Sequence, residues 1–124
     1  VMSSKDATTP EGRGPRQDPK ALVGVRPRDE VDLALRRLTG RSDAPPQFAL
    51  GVAAAYRWAM GSGVRAPVTG TSAKYGPDLR LLTAEVDAAV VQLEDPTPQP
   101  GVREFTRGVH DALSWVCGYS DIRI

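Results

Sequence analysis

A single cysteine, Cys117, serves 124 residues, which excludes a disulfide within the chain and any Cys-pair metal motif and suits a reducing compartment. Histidine is as scarce, with His110 alone. No run approaches the roughly 18 apolar residues of a membrane span, and no apolar stretch follows a basic start as in a signal peptide. The expectation is a cytoplasmic protein with no membrane partner. Neither charge sign prevails: 16 basic residues face 15 acidic ones, so no net field draws the chain toward nucleic acid or an anionic surface. Asparagine is absent and arginine outnumbers lysine 13 to 3, while alanine, glycine and proline are plentiful, the coding bias of a high-GC bacterium. Aromatic rings are few: two Trp, two Phe and three Tyr.

A chain of this length buries about two thirds of the surface that its unfolded form exposes, enough for one core. Met2 to Lys20 are rich in Ser, Thr, Pro, Gly and charge without apolar period, and such a segment does not repay its ordering entropy by burial. Residues 1–26 are therefore read as a flexible N-terminal arm. Within it Ala21-Leu22-Val23-Gly24-Val25 is an extended strip, held by the body of the protein or by a partner chain. Residues 27–124 are read as one helical domain.

Four helices are expected in that domain. Pro27 with Asp29, Glu30 and Asp32 suits a first turn, Val31, Ala34, Leu35 and Leu38 mark one apolar face, and Gly40 ends it. After the rigid Ala44-Pro45-Pro46, the residues Phe48, Val52, Ala55, Tyr56 and Ala59 recur at helical spacing up to a capping Gly61. Ser62 to Gly76 read as a surface linker. Asp78 is the N-cap of a third helix with Leu79, Leu82, Val86, Ala89, Val90 and Leu93 on one face, stopped at Asp95-Pro96. The fourth runs from about Val102 through Phe105, Val109, Ala112, Leu113 and Val116 to Gly118.

Two of these segments repeat. Glu30-Val31-Asp32-x-Ala34-x-x-x-Leu38 returns as Glu85-Val86-Asp87-x-Ala89-x-x-x-Leu93, and Phe48-x-x-Gly51-Val52-x-x-Ala55-x-x-Trp58-x-x-Gly61 returns as Phe105-x-x-Gly108-Val109-x-x-Ala112-x-x-Trp115-x-x-Gly118. The offsets are 55 and 57 residues, and all Phe and Trp of the chain fall on equivalent positions. The reading is a tandem duplication, with repeat 1 at about 27–61, the linker at 62–76 and repeat 2 at about 77–118. An amphipathic hairpin cannot cover its own apolar face, so two hairpins close face to face. Gly51 with Ala55, and Gly108 with Ala112, place small residues one turn apart and predict that the second and fourth helices cross there. Trp58 and Trp115 flank that crossing.

Chemistry-bearing residues are sparse. His110 and Asp111 are suited to acid–base work by type, but adjacent helix positions point about 100° apart, which argues against their pairing. His110, Ser114 and Cys117 share a helical line, yet about 10 Å of helix separates the histidine from the thiol. Their first-repeat equivalents are Ala53, Arg57 and Met60. Glu30, Asp32, Glu85 and Asp87 could gather around a hard cation, although helix-start and solvated-surface roles explain them better. Gly70-Thr71-Ser72-Ala73-Lys74 has the small residues and cation of an anion cradle without matching a phosphate-binding loop. Arg13, Arg16, Lys20, Arg26, Arg28, Arg36, Arg37 and Arg41 concentrate positive charge in the first third, but six acidic residues lie before Arg41 and no recognition helix is evident.

The expectation is thus an all-α fold, a four-helix array of two duplicated hairpins behind the arm. Its function is read as a non-catalytic interaction or assembly module, with a protein partner or a homodimer and with no nucleic acid, metal or cofactor. The arm and the linker are the expected contact segments. The alternative is a small-molecule binder or minor enzyme with a pocket between the hairpins, lined by Tyr56, Trp58 and Trp115 with His110 as the polar group. A second alternative is a DNA-associated regulator using the basic arm.

Overall fold

A computed structural model of the chain describes residues 21–39, 45–62, 64–73, 76–96 and 99–122. The N-terminal segment to Lys20, Gly40, Arg41 and Lys74 lie outside them, so the expectations placed on those residues do too. Among the described residues the fold has four helices and one small hairpin. The hairpin is β1 (Leu22–Val23) and β2 (Arg26–Pro27), and the helices are α1 (Arg28–Thr39), α2 (Pro46–Ala59), α3 (Leu79–Glu94) and α4 (Pro100–Val116). Each helix falls where the apolar period places it.

Local chemistry accounts for the helix ends. In α1, Asp29 and Glu30 stand in the first turn and Arg36 and Arg37 in the last, both matched to the helix dipole. Asp32 and Arg36 pair one turn apart at 2.5 Å. Pro46 and Pro100 open α2 and α4, where a missing N–H costs nothing. The Asp78 side chain accepts the Leu81 amide at 2.9 Å and caps α3. The two long C-terminal caps are alike. Gly61 (φ 76°) and Gly118 (φ 82°) take the left-handed conformation. Their amides donate to Trp58 O and Trp115 O, and the next amides, Ser62 and Tyr119, donate to Arg57 O and Ser114 O.

Packing runs in the order α1, α2, α4, α3: the α2–α4 pair is the principal interface, α1 lies on α2 and α3 on α4. The α2–α4 contact is made backbone to backbone. A Cβ on Gly51 would fall on the Phe105 carbonyl oxygen, and one on Gly108 would fall on the Phe48 carbonyl oxygen. The approach is therefore reciprocal, at the two glycines whose spacing predicted the crossing. Around it Val52, Ala55, Tyr56, Trp58, Val109, Ala112, Leu113 and Trp115 are buried. Val31, Ala34 and Leu38 of α1 and Leu82, Val86 and Ala89 of α3 complete the core. Burial removes apolar surface from water at roughly 25 cal/mol per Å², and these side chains supply most of it.

Residues 21–26, read as part of the arm, form the hairpin and its approach. Gly24 (φ 63°) occupies the first position of its two-residue turn, a geometry that suits a residue without a side chain. The hairpin is fastened to the far end of the chain: Val25 N donates to Val116 O at 2.9 Å. Arg26 Nε donates to Trp115 O and Arg26 Nη2 to Ser120 O, both at 2.8 Å, with the guanidinium 4.8 Å from the Trp115 ring centre. Arg28 Nη1 donates to Met60 O at 2.9 Å. Two arginines of the basic run thus hold carbonyls at the C-terminal ends of α4 and α2, where the dipole favours a cation.

Candidate functional site

A cleft of about 440 Å³ opens between α3, the last turns of α4 and the tail that follows Gly118. Val86 lines it from α3, His110, Asp111 and Ser114 from α4, and Tyr119, Ser120 and Ile122 from the tail. The tail reaches its place through local and distant ties. Tyr119 and Ser120 amides donate to Ser114 O, Ile122 N donates to Ser120 Oγ at 3.1 Å, and Arg26 holds Ser120 O from outside. Tyr119 and Ile122 nevertheless stay 63% and 73% exposed, forming an apolar rim around a polar floor.

His110 Nδ1–H donates to Asp111 Oδ1 at 3.0 Å, which corrects the expectation that neighbours on a helix stay unpaired. The 100° between their Cα–Cβ directions is overcome by the reach of the side chains, whose ends converge over the half-buried surface of α4. Ser114 joins them one turn on and is itself buried. Cys117, on the same line, is buried away from the cleft wall. Burial, and after it the negative charge of Asp87, push its thiol up from 9.0 to about 11, so it is a protonated core side chain near neutral pH.

The residues expected to line a pocket between the hairpins lie apart from this cleft, His110 excepted. Tyr56, Trp58 and Trp115 are 0%, 1% and 3% exposed in the core. Tyr56 meets Trp115 edge to face at 6.1 Å between ring centres. The four carboxylates are likewise dispersed, and among the described residues no three His, Cys, Asp or Glu side chains are grouped as metal ligands.

Glu85 corrects the surface reading of its pair. It is 1% exposed, and its carboxylate accepts Val68 N at 2.5 Å, Thr69 N at 3.2 Å and Thr69 Oγ1 at 2.7 Å. These donors precede the Gly70–Lys74 segment, and the carboxylate they hold belongs to α3 of the same chain. The turn of the linker is closed by Ala66 N donating to Thr71 O and Gly70 N donating to Ala66 O, both at 2.9 Å, so this stretch of the linker is pinned to the domain.

Sequence reasoning passed over Tyr119, Ser120 and Ile122, because they follow the last helix and carry no period. An aromatic and an aliphatic residue just beyond a glycine cap were the available signal. No helix among the described residues is long and apolar enough to cross a membrane. No family model, curated protein or solved structure matches the chain.

Proposed function

We propose that the protein is a non-catalytic helical interaction module, working through protein–protein contacts at the α3–α4 cleft. The observation that carries this reading is the rim of the cleft: Tyr119 and Ile122 are 63% and 73% exposed beside a floor of His110, Asp111 and Ser114. Large side chains held in solvent around a recess are the anchors that interfaces bury, and tyrosine is prominent among them. Four other groups among the described residues have structural uses that agree with it. Glu85 fastens a loop, Arg26 and Arg28 tie helix ends, and the Cys117 thiol is held protonated.

Native mass spectrometry of the protein purified gently from its own host is the deciding experiment, comparing wild type with Tyr119→Ser/Ile122→Ser. A stoichiometric protein complex or homodimer that the double variant loses is the expected result. A small-molecule or metal adduct without any protein partner overturns the proposal. That outcome would favour a second reading, a small-molecule site, for which the cleft has a suitable volume and His110 the polar group.

A further inference from the structure

Formal charge among the described residues that line the α3–α4 cleft is of one sign. An ionised carboxylate has no proton to give, so the contact between His110 and Asp111 places the imidazole proton on Nδ1. In the neutral ring Nε2 is then an acceptor. Asp111 keeps its second oxygen, and the two side chains retain 31% and 37% of their surface in solvent. Among the described residues the polar lining therefore consists of a carboxylate, an imidazole acceptor and the hydroxyls of Ser114, Ser120 and Tyr119, with no lysine or arginine. Arg26, which reaches the wall through Ser120 O, has its guanidinium engaged by two backbone carbonyls and the Trp115 ring. Asp121 on the same tail is fully exposed and stands 3.9 Å from Arg26 Nη2, an ion pair outside the cleft.

Resting on the docking role proposed for this cleft, we infer that it receives a lysine or arginine side chain carried, with apolar neighbours, on a segment of a partner protein. A basic head group brings the positive charge that the described lining lacks, and its bonds to Asp111 are of the stronger, charge-assisted kind. An anionic group would face Asp111 with no cation among the described lining residues to offset it. The walls suit the rest of such a residue. Val86, Tyr119 and Ile122 offer apolar surface to an alkyl stem, and a cation over the Tyr119 ring gains from the aromatic face. Apolar neighbours on the same segment cover the rim, which a small free amine leaves in water.

His110 is the chain's one histidine, so its ring C–H resonance reports on the cleft without ambiguity. The full chain is titrated with acetyl-Leu-Lys-amide and acetyl-Leu-Arg-amide, with acetyl-Leu-Glu-amide and butylammonium as comparisons. Saturable shifts of the His110 and Tyr119 ring signals with the basic peptides are expected, weakened about tenfold or more in Asp111→Asn and recovered in part in Asp111→Glu. No shift with either basic peptide, equal binding of the glutamate peptide, or full affinity in Asp111→Asn overturns the inference. Butylammonium binding as tightly as the peptides would assign the cleft to a small amine, and a His110 shift on raising protein concentration alone would assign it to a second copy. Native mass spectrometry separates the two levels of argument. A partner lost on Tyr119→Ser/Ile122→Ser but kept on Asp111→Asn overturns the basic ligand and leaves the docking surface standing.

Discussion

Replacing Gly108 by alanine adds one methyl group to a helix, a change that in an exposed helix stabilises by about 1 kcal/mol. At Gly108 the sign reverses. The new Cβ would overlap the Phe48 carbonyl oxygen and lie 3.0 Å from Val52 N and 3.1 Å from the Phe48 carbonyl carbon, backbone atoms that no rotamer change can move. Ordinary contact requires α2 and α4 to separate by about 1 Å, and a gap of that size forfeits a quarter to a half of the dispersion energy of each contact it opens. Overpacking typically costs about 1–3 kcal/mol, and backbone against backbone places this site at the upper end. Less the propensity gain, about 2 kcal/mol of net destabilisation remains, a fall in Tm of roughly 8–16 °C for a domain of this size. Thermal and urea denaturation followed by circular dichroism measure it. Gly51→Ala, pressed against Phe105, should cost about the same, and the double variant less than the sum because the first opening accommodates the second methyl. Gly101→Ala is the control: its Cβ meets nothing nearer than Gln47 Cγ at 3.7 Å, so stability should hold or rise. A Gly108→Ala protein that melts with or above wild type would refute the close crossing.

Glu85→Gln keeps the shape but turns an NH2 toward the amides of Val68 and Thr69, and should cost about 2–3 kcal/mol with faster hydrogen exchange at both amides; unchanged exchange would mean that the carboxylate does not hold the loop. Cys117 keeps its proton to about pH 11 in the fold and to about 9.0 when exposed, so the unfolded chain ionises first. Stability should therefore fall as pH rises between those values, a slope that Cys117→Ala removes, and the native thiol should react slowly with a disulfide reagent; prompt modification of the folded protein would contradict its burial. Arg26→Gln removes charge-assisted bonds to Trp115 O and Ser120 O, and about 1.5–3 kcal/mol of stability should go with them. Arg26→Lys should recover only part, since an ammonium lacks the planar fork, and equal stability of the two variants would leave the fork without a role.

Helix ends and the central crossing were legible in the sequence because their causes are local. Asp78 caps with its own side chain three residues ahead, Gly61 and Gly118 take the one backbone conformation that ends each long helix, and Asp95-Pro96 stops α3. Gly51 and Gly108 were readable for a related reason: a helix position without a side chain, inside an apolar stripe, marks where another backbone comes near. Distant pairings were not legible. Arg26 finds Trp115 O across 89 positions, and nothing in the spacing of a basic run tells an arginine that ties down a helix end from one that meets phosphate. Glu85 was misread because its partners are main-chain amides of an aperiodic linker, which leave no pattern in side-chain identity. Position on a helical wheel likewise says nothing of side-chain reach, so the His110–Asp111 bond was missed.

The two segments marked by the sequence repeat are followed by different structures just beyond their matching caps. After Gly61 the chain turns into the 66–71 loop, whose Ala66 is buried, whose Val68 packs on the core and whose amides take up Glu85. After Gly118 the tail is held by Arg26 and by Ser114 O, and it leaves Tyr119 and Ile122 in solvent. The positions matching His110 and Ser114 are Ala53, which is buried, and Arg57, which points to water. A cleft with polar chemistry thus lies in the second half, between α3, α4 and the tail. Because Arg26 grips the tail wall from the opposite end of the chain, the hairpin and the cleft are mechanically joined. Binding that moves Tyr119 and Ile122 must strain the bonds to Trp115 O and Ser120 O or use them as a rigid backing. The rigid backing has the smaller ordering cost, so Arg26→Gln should weaken partner binding at a surface that the arginine itself does not line.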